Sequence, residues 1–197
     1  MSLIKSAWEI ALEKTEHIQV DEQKIAKNAK RQEGRKLAAD FLHNFDVTFE
    51  QTKKKLGMFK GEEKKQVIEG IVMAFLDNVS LPRNNQYKQE FAKVIQLSTL
   101  IGSKEVEQLT QQLLQFFEQY LAQQKQLTER LKQQYQPKLE QKQAQLAQQY
   151  GDDFVLKAEQ DPEFIKMLDE NLKQLDAQYG QVVTNAKDQI KRMFKID

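Results

Sequence analysis

The first residues that could do chemistry lie in "KIAKNAKRQEGRK", residues 24–36. Lys24, Lys27, Arg31 and Arg35 fall at i, i+3, i+7 and i+11, on one face of a helix, with Asn28 among them. Ala26, Ala29, Leu37 and Phe41 lie roughly opposite. A basic stripe backed by an apolar face docks on phosphates, with a salt dependence that grows with each contact. That reading makes the stripe an anion-binding surface for nucleic acid or an acidic partner. Lys53, Lys54, Lys55, Lys60, Lys64 and Lys65 widen the patch if they fold onto the same side. The plainer reading, a solvated helix face, takes precedence. No aromatic residue is interleaved, and the whole chain carries a net charge of only +1.

Other chemistry is sparse. The two histidines, His17 and His43, stand near the ends of expected helices, where a partial positive charge is favoured. They form no H-x-x-x-H or H-E-x-x-H pair, and the chain has no cysteine, so no metal site is expected. Asp152, Asp153, Glu159, Asp161 and Glu163 gather in one connection without the spacing of a calcium loop. No phosphate loop, nucleophile elbow or Glu-x-x-His pair is present. The expectation is a protein without a cofactor and not an enzyme; an enzyme with a site invisible in sequence ranks third.

The elements that would position these residues are helices. Gln, Lys, Glu, Leu and Ala abound, against three prolines and seven glycines. Ser6 and Glu9 make a capping box for a helix over 7–17, with Trp8, Ala11 and Leu12 inward. Asp21 caps a second over 22–44, and Asp46 a third over 47–56 that stops at Gly57. A fourth, 62–79, has a wide apolar face of Val67, Ile71, Phe75 and Val79 with Ile68, Val72 and Leu76. After Pro82 a fifth, 85–101, carries Phe91, Val94, Ile95 and Ile101, and Gly102 ends it. Residues 1–102 thus read as a bundle of short helices, with 17 Lys+Arg against 14 Asp+Glu; the remainder carries 13 against 15.

Residues 103–197 read as a long antiparallel helical hairpin, coiled-coil-like. Ser103 caps a helix over 104–149, about 70 Å long at about 1.5 Å per residue. Its apolar residues fit an eleven-residue frame better than a heptad. Leu109, Tyr120 and Leu131 are eleven apart, as are Tyr135 and Leu146. Pro137 costs that helix about 3 kcal/mol, yet Leu131, Tyr135 and Leu139 keep phase across it, so one continuous, kinked helix is expected rather than a turn. Gly151 stops it. Asp161 before Pro162 starts the last helix, 162–195. There a heptad seam is expected through Ile165, Leu168, Leu172, Leu175, Tyr179, Val182, Ala186 and Met193, with Gln189 its one polar member.

Three stretches carry a resemblance: "SAWEIALEKTEHI", "RQEGRKLAADFL" and "NVSLPRNN". In Ser6, Ala11, Leu12, Glu13 and Thr15, then Glu33, Gly34 and Leu37, then Leu81, Pro82 and Arg83, the chain resembles a family of short bacterial proteins, a domain of unknown function. The resemblance covers mostly the N-terminal half. It implies a small soluble bacterial protein and carries over no activity and no site.

The fold class expected is all-α. The function expected is a non-enzymatic interaction or scaffold role, with the hairpin packing against a second copy, as a dimer, or against a helical partner. Phe116, Phe117, Tyr120 and Leu121, continued by Leu131 and Tyr135, form the expected partner interface, an arc wider than one returning helix covers. Binding of nucleic acid or another anionic partner through the basic stripe is the alternative. The longest apolar run, Ile71 to Leu76, is too short to span a bilayer, and the N-terminus lacks the pattern of a signal peptide, so a cytoplasmic location without membrane insertion is expected.

Overall fold

A computed structural model describes residues 22–84, 86–151 and 155–196. The helix expected over 7–17, with His17, and the Asp21 cap lie outside the described residues. Six helices and no strand are found among the described residues: α1 (Glu22–His43), α2 (Phe49–Gly57), α3 (Gly61–Asn78), α4 (Tyr87–Ile101), α5 (Lys104–Tyr150) and α6 (Pro162–Phe194). A 3-10 turn, Ala158–Gln160, precedes α6. The chain is all-α. None of these helices is long and apolar enough to cross a membrane.

Local chemistry sets the boundaries. Ser103 Oγ accepts from the Val106 amide at 3.4 Å and starts α5. Gly102 closes α4 in the left-handed region, with φ of 75°, which glycine alone enters without strain. Asp161 caps α6 by accepting from the Glu163 amide at 3.0 Å, with Pro162 at the first helical position. The cap of α2 is not Asp46 but Thr48. Its hydroxyl accepts from the Gln51 amide while the Gln51 side chain accepts from the Thr48 amide, a reciprocal capping box.

The core begins where α1 crosses α3. Val67, Ile71, Val72 and Phe75 of α3 are fully buried, each contributing about 1.5–3 kcal/mol by leaving water. The two backbones meet at Gly34 and Gly70. A Cβ on Gly34 would stand 2.0 Å from the Val67 carbonyl oxygen, and one on Gly70 would stand 2.0 Å from that of Arg31. Ala38 and Ala74, one turn along on either helix, are buried too, so small residues line both sides of the crossing. Tyr87, Phe91 and Val94 of α4 extend this core to Leu113 and Phe117 of α5 and to Val183, Ala186 and Ile190 of α6. The cluster runs from Ala38 to Ile196. The first half therefore shares its core with both long helices and does not close at residue 102.

α5 passes through Pro137 without interruption. α6 returns along it antiparallel: Phe116 meets Tyr179, Tyr120 meets Asp176, and Tyr135 meets Asp161. The heptad seam expected on α6 holds only in part: Leu168, Leu172, Leu175, Tyr179 and Ala186 are covered, but Ile165, Val182 and Met193 are 48%, 44% and 41% exposed, while Phe164, Val183 and Ile190 are buried instead. The covered positions repeat every eleven: Phe164, Leu175 and Ala186; Leu168, Tyr179 and Ile190; Leu172 and Val183. The physical reason is the partner. The buried side of α5 keeps an eleven-residue repeat, about 3.67 residues per turn, and a helix lying straight along it must follow the same period.

Candidate functional site

The polar residues that converge most closely stand at the far end of the two long helices. Tyr135 and Lys142 are two turns apart on α5 and share a face. Asp161 comes to them from the start of α6. Tyr135 OH donates to Asp161 Oδ2 at 2.8 Å, and Lys142 Nζ donates to Oδ1 and Oδ2 at 2.9 and 2.7 Å. Lys142 also reaches Tyr135 OH at 3.0 Å and Glu163 Oε2 at 3.1 Å, and Lys138 pairs with Glu163. Below this network a second apolar cluster of Leu131, Tyr135, Ala158 and Phe164 is closed to water.

Asp161 is 3% exposed. Lys142, supported by Tyr135 and the Glu163 amide, holds its carboxyl below the ordinary range against the opposing effect of burial. The same hydrogen bond to Asp161, with Tyr135 and Glu163, raises Lys142 above the ordinary lysine value. Burial pushes the Tyr135 hydroxyl up. Charge, hydroxyl and amide satisfy one another here. The arrangement fastens the connection to α5, and its chemistry is that of a lock.

The six residues expected at a partner interface are placed differently from that expectation. Phe117, Tyr120, Leu131 and Tyr135 are buried, and Phe116 and Leu121 are half-buried. Phe117 stacks edge-on against Tyr87 and Phe91, with centroids 6.1 and 5.2 Å away. Phe116 lies 4.6 Å from the Tyr179 ring, and Tyr120 OH donates to Asp176 at 2.6 Å. The arc too wide for one helix is covered by two, α4 and α6. It is interior and not a free surface.

The basic stripe also turns inward. Arg31 Nε lies 2.7 Å from Glu69 Oε2, Lys27 3.7 Å from the same carboxylate, and Arg35 3.3 Å from Asp77 Oδ2. Lys24 is exposed on the first turn. Ala26 and Ala29, expected on the apolar side, face solvent. The close approach at Gly34 and Gly70 is the cause. Backbones this near leave the long basic stems no room between them, so the stems run along α3 to its carboxylates. The signal in the sequence was the pair of small-residue steps, Gly34 to Ala38 and Gly70 to Ala74.

A cleft of about 820 Å³, announced by no sequence motif, opens between the end of α1, the α3–α4 connection and the first turns of α4. His43, Phe45, Arg83 and Lys93 are on its wall. Lys93 Nζ donates to the carbonyls of Phe41 and Leu42 at 3.2 and 3.1 Å, closing the C-terminal end of α1. Among the described residues no three His, Asp or Glu side chains gather as a metal site would require.

Residues 53–192 match a family of unknown function, DUF6657, and the chain belongs to that family. Of the three stretches that carried the resemblance, only "NVSLPRNN" lies inside the matched region. Neither a curated protein nor a solved structure matches the chain.

Proposed function

We propose that the chain is a non-enzymatic interaction protein that self-associates through the outer flank of α6. The observation that carries this reading is a stripe without charge. Asn171, Gln174, Gln178, Val182, Asn185, Gln189 and Met193 follow one another at steps of three and four along one side of α6, and all but Asn171 are exposed, Val182 and Met193 at 44% and 41%. Thirty per cent of the chain is charged, yet no Asp, Glu, Lys or Arg stands in this stripe, whereas Lys166, Asp169, Glu170, Lys173, Asp176 and Arg192 are exposed elsewhere on the helix. Depletion of charge marks the centre of interfaces.

The stripe is self-complementary. Amide side chains both donate and accept, so a second copy of the same surface needs no opposite charge to match it. Val182 and Met193, eleven residues apart, supply the apolar contacts. Because the opposite side of α6 is fixed by the main core at Val183, Ala186 and Ile190 and by the lock at Asp161, the helix presents this flank without having to reorganise on association. The basic stripe is not carried forward as a binding surface, because three of its four residues already face carboxylates of α3.

The chain has no cysteine, so Gln181→Cys creates a single labelling site beside the stripe. A nitroxide there is expected to show intermolecular dipolar coupling that disappears when Val182→Lys and Met193→Lys are added. Absence of coupling between copies of the labelled protein would contradict the proposal.

A further inference from the structure

We propose that the cleft at the α3–α4 connection is a binding site for a small organic anion with an apolar or aromatic body. Its volume, about 820 Å³, is in the range of small-molecule sites, roughly 300–1,000 Å³. Its chemistry is divided as such a ligand would require. Cationic groups come from Arg83 and Lys93, with the His43 ring beside them, against one carboxylate, Glu90. Apolar wall comes from Leu42, Phe45 and Phe91.

Arg83, exposed on the wall, makes no side-chain hydrogen bond or ion pair among the described residues, so its guanidinium is available to a ligand. An arginine offers a planar fork of donors suited to a carboxylate. Phe45 is 94% exposed, the most open large apolar side chain among the described residues, and Lys93 Nζ lies 4.9 Å from its ring centroid. An aromatic ring left in water at the mouth of a cleft gains most when a ligand body covers it. The anionic end would sit at Arg83 and the apolar body against Phe45.

This inference is independent of self-association, since no residue of the α6 flank is on the cleft wall. The probe is 1-naphthoate, titrated into the full chain and followed by backbone amide NMR shifts. Saturable shifts confined to His43, Phe45, Arg83, Lys93 and their neighbours are expected. The neutral 1-naphthalenemethanol and inorganic phosphate alone should each bind at least about tenfold more weakly, because each lacks one half of the recognition. Arg83→Glu should weaken naphthoate at least about tenfold, consistent with loss of a charge-assisted pair. Arg83 is exposed, so this change leaves the melting temperature in place. Phe45→Ser provides the second variant and should weaken naphthoate without altering the phosphate response. Absence of saturable shifts, equal binding of the alcohol or of phosphate, or Arg83→Glu binding as tightly as wild type would each overturn the proposal.

Discussion

Gly70→Ala separates helix propensity from tertiary packing with opposite signs. In an isolated helix the change stabilises by about 1 kcal/mol. Here the new methyl would stand 2.0 Å from the carbonyl oxygen of Arg31 and 2.8 Å from its carbon, both backbone atoms of a helix that cannot rotate away. Cβ atoms essentially never approach within 3.0 Å, so α1 and α3 must part by at least about 1 Å. A gap of about 0.5–1 Å forfeits a quarter to a half of each dispersion contact it opens. Ala38, Ile71 and Ala74, all buried at or beside the crossing, lose part of their packing together. The 2.7 Å Arg31–Glu69 pair is stretched as well. Overpacking of this kind costs about 3 kcal/mol at the upper end of its usual range, so the net loss is about 2 kcal/mol after the propensity gain. For a chain of this size that lowers the melting temperature by about 4–8 °C. Gly57→Ala, where a Cβ meets nothing within 4 Å, is the control and is expected to be neutral or slightly stabilising. Urea unfolding followed by far-ultraviolet circular dichroism measures both. A Gly70→Ala protein as stable as wild type would refute the close crossing on which the inward turn of the basic stripe depends.

Two further expectations concern the lock at the end of the long helices. Asn retains the capping role at position 161 but not the charge, so Asp161→Asn isolates the contact with Lys142. Because the folded carboxyl is held below its ordinary value of 3.8, its contribution is complete above that pH and is lost as pH falls toward the lower folded value. The stability gap between wild type and Asp161→Asn, measured by urea titration, should be constant at neutral pH and close below about pH 4; a gap that widens with acid would contradict the network. Phe164 is fully buried in the distal cluster, so Phe164→Ala should cost about 3–5 kcal/mol. Amide hydrogen exchange should localise that loss to residues near Leu131, Tyr135 and Ala158, and a loss spread evenly over α1 and α3 would be the contrary result.

The helices were legible because their signals are local. Ser103, Gly102 and the Asp161–Pro162 pair set ends within a residue or two, and the apolar run of α3 needed only its own period. The faces were harder to read, since a face is defined by what lies across from it. Lys27, Arg31 and Arg35 looked solvated because the sequence of α1 does not contain Glu69 or Asp77. Phe117 and Tyr120 looked like spare surface because α4 was not counted beside α6. On α6 the heptad frame placed Val182 and Gln189 inward where Val183 and Ile190 are buried; one residue decides the side, and the period belonged to α5. The uncharged flank of α6 was in the sequence throughout, as a run of Asn and Gln at helical spacing. It gained meaning once the opposite side of that helix was known to be occupied.

Whether the α6 flank joins two copies of the chain is open to direct measurement. Sedimentation velocity across the attainable concentration range, on wild type and on the Val182→Lys, Met193→Lys double variant, addresses this directly. The expected result is a reversible dimer in the wild type and a folded monomer in the double variant. A wild-type protein that sediments as a monomer at every concentration would contradict self-association through this flank.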